Sequence, residues 1–271
     1  MARLRRSSRT TRSDTGSAGT VVPGKVFMGR CIVAYDGSVT VAAVILFPTA
    51  EGALADTAGR PAVRRVVETA WAGGATPIVV VSSDEGGRVA AALAGSPAVL
   101  AEPAPAASGS VGQIVRGMQV ATEQVRDTQA ALVWPGSMVW LDAETVTTLI
   151  EAHGMRRDAL LRPRYADMLS WPVLVPTALL GQLASLSPAL MPDELLDELA
   201  GSVDAHTIDT GAPGAAYDIA TPIDSLPEFQ GPPDPVKPPP DWGASLPDMG
   251  DEGPLQGPAL APYSQAAEEG E

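Results

Sequence analysis

Apolar residues along the chain fall into two kinds of run, and their alternation sets the expected fold. Continuous runs rich in β-branched residues occupy positions 39–47, 77–81 and 130–134, with a weaker run at 97–101. Unbroken rather than alternating apolarity marks strands covered on both faces. Between these runs the period lengthens. Val63, Val66, Val67 and Ala70 follow Pro61 at helical spacing, and Val89 and Leu93 follow Ser83, a residue suited to cap a helix. Ile114, Met118 and Ala121 line a helix over about 111–125, and a further helix runs from Asp142 to His153. Gly73-Gly74, Gly95 and Gly154 punctuate the ends.

Strand and helix thus alternate with short connections, which right-handed crossovers turn into a parallel sheet with helices on both faces. Ahead of the first core strand, residues 31–35 read as a short strand and Asp36-Gly37 as a hairpin turn. After Gly154 the rhythm changes. Positions 159–162, 171–175 and 202–208 read as strands and 177–186 and 193–199 as helices, a smaller and partly antiparallel half of a mixed sheet. The expected class is α/β: a three-layer α/β/α sandwich with a mostly parallel sheet, formed by residues 29–226.

Composition sharpens the boundaries. The net charge of −14 is uneven: residues 1–12 hold five arginines and no acid, whereas residues 227–271 hold nine acids, one lysine and eleven prolines. The reading is a disordered basic arm at 1–28 and a disordered, proline-rich acidic tail at 227–271, locally polyproline II and open to a protein partner. Met28 is also a candidate translation start. The acidic body argues against nucleic-acid or anionic-membrane binding, and residues 41–47 are too short to cross a bilayer, so a cytoplasmic protein is expected. The single cysteine, Cys31, excludes an internal disulfide framework and is read as a buried thiol.

Several stretches, in order, resemble the MobA-like nucleotidyltransferases, especially the molybdenum cofactor cytidylyltransferase branch. VAAVIL at 41–46 and Gly59-Arg60-Pro61-Ala62-Val63 are similar to that family's opening strand and Gly-Arg-Pro helix start; GSVGQIVRG at 109–117 resembles its glycine-serine loop; DIATPIDSL at 218–226 resembles its closing motif. The resemblance implies nucleotidyl transfer from an NTP to a phosphorylated acceptor such as molybdopterin, with Mg2+ as cofactor. It points to Leu46, Thr49, Arg60, Gly109, Ser110 and Arg116 for the nucleotide.

The chain departs from that pattern where the chemistry concentrates. Leu46-Phe47-Pro48-Thr49 replaces Leu-Ala-Ala-Gly, and between Phe47 and Ala58 the only ionisable groups are Glu51 and Asp56. The family's two metal-ligand positions fall on Ser137 and Ala220, and Ser170-Trp171-Pro172 replaces Gly-His-Pro. No metal is expected at Ser137 and Ala220, because magnesium is held mainly by anionic oxygen. Asp142 and Asp218 are the replacement candidates, Asp142 having a helix N-cap as its other role. The expectation is therefore lost or much reduced catalysis, or a non-catalytic relative that binds a nucleotide, a cofactor or a protein. Arg60 and Arg116 are the remaining anion-binding candidates, with solvated charge as the alternative. His153 is read as a helix-end cap and His206 as structural, while Trp134, Trp140 and Trp171 are expected to crowd the mouth of the site.

Overall fold

The computed structural model describes residues 39–229. Its elements run in the order β1 (Thr40–Leu46), α1 (Ala50–Leu54), α2 (Ala62–Ala72), β2 (Ile78–Val81), α3 (Arg88–Leu93), β3 (Ala98–Ala101), α4 (Gly109–Gln124), β4 (Thr128–Pro135) and α5 (Ala143–Met155). The second half adds β5 (Leu160–Tyr165), β6 (Met168–Leu169), β7 (Val173–Pro176), α6 (Leu180–Leu183), α7 (Pro192–Ala200) and β8 (Ala205–Asp209). The proposed strand at 31–35, its turn, Cys31, Met28, the basic arm and nearly all of the acidic tail lie outside the described residues.

One sheet holds all eight of these strands in the order β3-β2-β1-β4-β7-β5-β6, with β8 paired to β5. β1 pairs in parallel with both β2 and β4, and β2 with β3. β7 runs antiparallel to β4 and β5. The sheet is thus mostly parallel with an antiparallel insertion, as the change of rhythm after Gly154 predicts.

Alternate residues of each strand feed opposite layers. Val41, Ala43, Ile45, Leu132 and Trp134 pack beneath α2, α3 and α5, while Ala42, Val44, Ala131 and Val133 pack beneath α4, α6 and α7. Each fully buried aliphatic side chain contributes about 1.5–3 kcal/mol relative to exposure. Central strands must therefore be apolar at every position, and β1 is buried throughout Val41–Ile45.

Three local expectations change. The stretch between Phe47 and Ala58 is not simply a loop, because it contains the single-turn helix α1, capped by the Thr49 hydroxyl on the Gly52 amide at 3.1 Å. Asp84 rather than Ser83 caps α3: its carboxylate accepts from the amides of Val89 (2.7 Å) and Ala90 (3.1 Å), since Gly86 and Gly87 carry the chain one turn further before the helix starts. The helix expected at 177–186 is a 3-10 turn, Thr177–Leu179, followed by α6 alone.

Candidate functional site: a charge-free cleft at the ends of the parallel strands

The chain passes from β1 to β2 and β3 on one side and then crosses to β4 on the other, so strand order reverses between β1 and β4. Open α/β sheets bind ligands in the crevice beyond the carboxyl ends of the strands at such a point. A cleft of about 420 Å³ lies there. Its floor is Leu46, Val81 and Pro135 from the strand ends; one wall is Gly109, Ser110, Gln113 and Ile114 from the start of α4; Phe47, Pro48, Ser137 and Trp171 complete the rim.

None of the residues lining this cleft is ionisable. Ser110 and Ser137 bring hydroxyls to it. Gln113 is already engaged, accepting from the Ala104 amide and donating to the Ala104 carbonyl, both at 2.9 Å. This two-point pairing fixes the 102–108 segment against α4. Pro103 and Pro105 have no amide to offer, which leaves Ala104 as the donor between them. Gly109 has φ of 58°, and a Cβ there would overlap the Pro188 carbonyl, so the start of α4 is held close to the segment preceding α7. Gly109 is a candidate from its motif alone, but nothing in the order of residues signals this neighbour.

Several arginines are engaged away from the cleft lining. Arg60 pairs with Glu68 at 2.8 Å, and Arg64 also bonds Glu68 at 2.7 Å. The Arg64 hydrogen bond, helped by the charges of Arg60 and Arg64 and opposed by burial, holds the Glu68 carboxyl below its ordinary range. Arg65 lies over the Trp140 ring at 5.2 Å and bonds the hydroxyl and carbonyl of Thr57. Arg162 reaches Asp193 at 2.8 Å and Asp197 at 3.4 Å and sits 5.8 Å from the centre of the Trp171 ring. Arg116 lines a different groove, with Glu102 and Gln119. Of the residues proposed for the nucleotide, the structure brings Leu46, Gly109 and Ser110 to the cleft; Thr49 serves as the α1 cap, and Arg60 and Arg116 lie away from the lining.

Ser137 and the Ile219-Ala220 segment, to which the resemblance points for metal ligands, come close. The Ile219 amide, next to Ala220, donates to the Ser137 carbonyl at 2.8 Å, and the Trp140 indole N–H is shared between the carbonyls of Asp218 (3.1 Å) and Thr221 (2.9 Å). These contacts dock the closing segment on the turn after β4. The donor set does not suit magnesium. Ser137 offers a hydroxyl and Ala220 nothing, while the Asp218 carboxylate accepts from the Ala220 amide at 3.0 Å. Asp142 caps α5, accepting from the Thr145 amide at 2.6 Å. Among the described residues no three His, Cys, Asp or Glu side chains gather as a metal site.

The tryptophans divide. Trp171 lines the cleft and also a second cavity of about 300 Å³, shared with Asp193, Tyr217 and Asp218, and so stands as the wall between the two. Trp134 is wholly buried with its N–H bonded to the Met138 carbonyl at 2.9 Å, and Trp140 is held by Arg65 and the closing segment; neither lines the cleft. The histidines also depart from expectation in part. Both ring nitrogens of His153 are buried without a partner, so the ring caps nothing, and burial, with Arg157 adding to it, pushes its pKa down. His206 is on β8, 3.0 Å from Asp204.

The α/β sandwich with its crevice at the β1/β4 crossing is a nucleotidyltransferase-like fold. The MobA-like NTP transferase domain model matches residues 51–203, more than half of the chain, and the chain belongs to that family. Among solved structures it is similar to a nucleotidyl transferase from a Methanothermobacter species (TM-score 0.54, 15% identity, covering 66% of this chain and 91% of that one). It is also similar to a homologue of Mycobacterium tuberculosis Rv0371c from Mycobacterium sp. strain JC1 (0.50, 17%, 63% and 85%). Rv0371c of M. tuberculosis H37Rv in complex with manganese aligns with a TM-score of 0.49 at 18% identity over 64% of this chain and 90% of that one. No curated protein sequence matches the chain. Among the described residues no helix is long and apolar enough to cross a membrane.

Proposed function

We propose that this chain is a MobA-like family member in which metal-dependent nucleotidyl transfer is lost and the cleft serves binding. One observation carries the reading: the cleft at the β1/β4 crossing has no ionisable lining residue. A triphosphate there would have to be held by backbone dipoles and the neutral Ser110 and Ser137 hydroxyls, with no cation, inside a chain of net charge −14. Transfer between phosphates depends on cations and a metal to neutralise charge that develops in the transition state. The helical turn α1 adds to this, since the Thr49 hydroxyl takes the Gly52 amide that an open phosphate loop would present.

The acceptor of the wider family branch, molybdopterin, is itself phosphorylated and meets the same obstacle. A cytoplasmic role in assembly or regulation, with the proline-rich tail engaging a protein partner, is the form of the proposal that the composition supports. Calorimetric titration with CTP, GTP and ATP, each with and without Mg2+, tests it. The expected result is no metal-dependent binding; micromolar, magnesium-dependent binding of any one of them would overturn it.

A further inference from the structure

The geometry points to an uncharged, flat and largely apolar organic molecule as the occupant of this cleft, bound without any phosphate. The inference rests on the reading above and extends it from what the cleft rejects to what it accepts. A volume of about 420 Å³ falls within the range of sites that bury most of a drug-sized ligand. Aromatic and proline surfaces, Phe47, Pro48, Pro135 and Trp171, offer flat apolar contact, and the polar handles are the Ser110 and Ser137 hydroxyls. Such a lining removes apolar surface from water and recognises one or two hydrogen-bonding groups, with no charge to compensate a desolvated anion.

The wall is held in place. Trp171 is fixed by Arg162, whose guanidinium donates to the Ser170 carbonyl at 3.3 Å and is anchored on α7 by Asp193 and Asp197. The Trp171 side chain that lines the cleft is therefore positioned rather than loose. A preorganised apolar wall lowers the ordering penalty of binding.

A matched pair of ligands reads the charge preference directly: 2-naphthol and 2-naphthyl phosphate share one aromatic body and differ by the phosphate. Titrated calorimetrically at pH 7 into the full chain, 2-naphthol is expected to bind at least tenfold more tightly than its phosphate ester. In Ser110→Lys, which places a cation on the cleft wall, the preference should move toward the phosphate ester by tenfold or more. Ser137→Lys, at an exposed rim position, gives the same readout if Ser110→Lys does not fold. Equal or tighter binding of the phosphate ester by the unaltered chain, no binding of 2-naphthol at millimolar concentration, or a preference unmoved by either lysine would overturn the inference. Failure of 2-naphthol alone leaves the loss of nucleotide chemistry standing, whereas magnesium-dependent NTP binding removes both.

Discussion

Replacing Gly214 by alanine probes the contact that docks the closing segment on the turn after β4. A Cβ built on Gly214 overlaps the Trp140 carbonyl oxygen and carbon and lies 2.9 Å from the Leu141 amide nitrogen. All three are backbone atoms of the turn between β4 and α5, so no side-chain rotation relieves the clash. The segment must instead lift away by more than an ångström to reach an ordinary C···O separation of about 3.3 Å. That movement strains four hydrogen bonds: Trp140 Nε1 to Asp218 and Thr221, Ile219 N to the Ser137 carbonyl, and Trp171 N to the Ala215 carbonyl. Overpacking of this kind costs about 1–3 kcal/mol, and each bond lost costs about 1 kcal/mol more. With the four bonds weakened rather than broken, the expected destabilisation is about 3 kcal/mol, at the upper end of the overpacking range. With a urea dependence of about 2 kcal/mol per molar, the unfolding midpoint should fall by roughly 1.5 M. Gly181→Ala, at a helical position where an added Cβ meets nothing within 4 Å, serves as the matched control and should leave the midpoint unchanged or slightly raised. A Gly214→Ala midpoint within 0.3 M (~0.6 kcal/mol) of the unaltered chain would show that the closing segment yields freely and is not fixed on the turn after β4.

Other expectations follow from single contacts. The depressed pKa of buried His153 means that the unfolded chain binds a proton more readily than the folded one. Stability should thus decline as pH falls through the ordinary histidine range near ~6.5 and stop declining below the folded-state pKa. His153→Leu should flatten that limb of a urea-midpoint profile. Arg162→Met removes the ion pairs to the exposed Asp193 and Asp197, the bond to the Ser170 carbonyl and the contact with the Trp171 ring, each worth about 1 kcal/mol, so thermal unfolding should fall by several degrees, with tryptophan fluorescence the more sensitive readout. Asp142→Ala should cost about 1 kcal/mol through loss of the α5 cap, with ligand affinity at the cleft unchanged. Trp134→Phe leaves the buried Met138 carbonyl unpaired and a small void behind it, for about 2–3 kcal/mol by denaturant titration.

The chain's order of elements was written in hydrophobic periodicity. Runs such as 41–45 and 78–81 are apolar at every position because both faces of a central strand are covered, and helical spacing at Val63–Val67 follows from a single buried face. The glycine-serine entry to α4 and the Asp142 cap were equally legible, since each is a local device. That Ser137 and Ala220 carry no carboxylate needed nothing but residue identity. Gly109 showed in the sequence only as a glycine, and its requirement comes from Pro188, nearly eighty residues away along the chain.

What the tertiary structure alone decided was where the charges go. From the sequence Arg60 and Arg116 both stand near helices that follow sheet loops, where an anion is welcome. Only folding shows that Glu68, one helical turn beyond Arg64, captures Arg60, and that Arg116 opens onto a separate groove. It likewise decided that Trp171, rather than all three tryptophans, walls the cleft, and that Gln113 spends its amide on Ala104. Periodicity reports how much of a residue is buried, because burial repeats along an element. Pairing between distant side chains does not repeat, and leaves no trace in the order of residues.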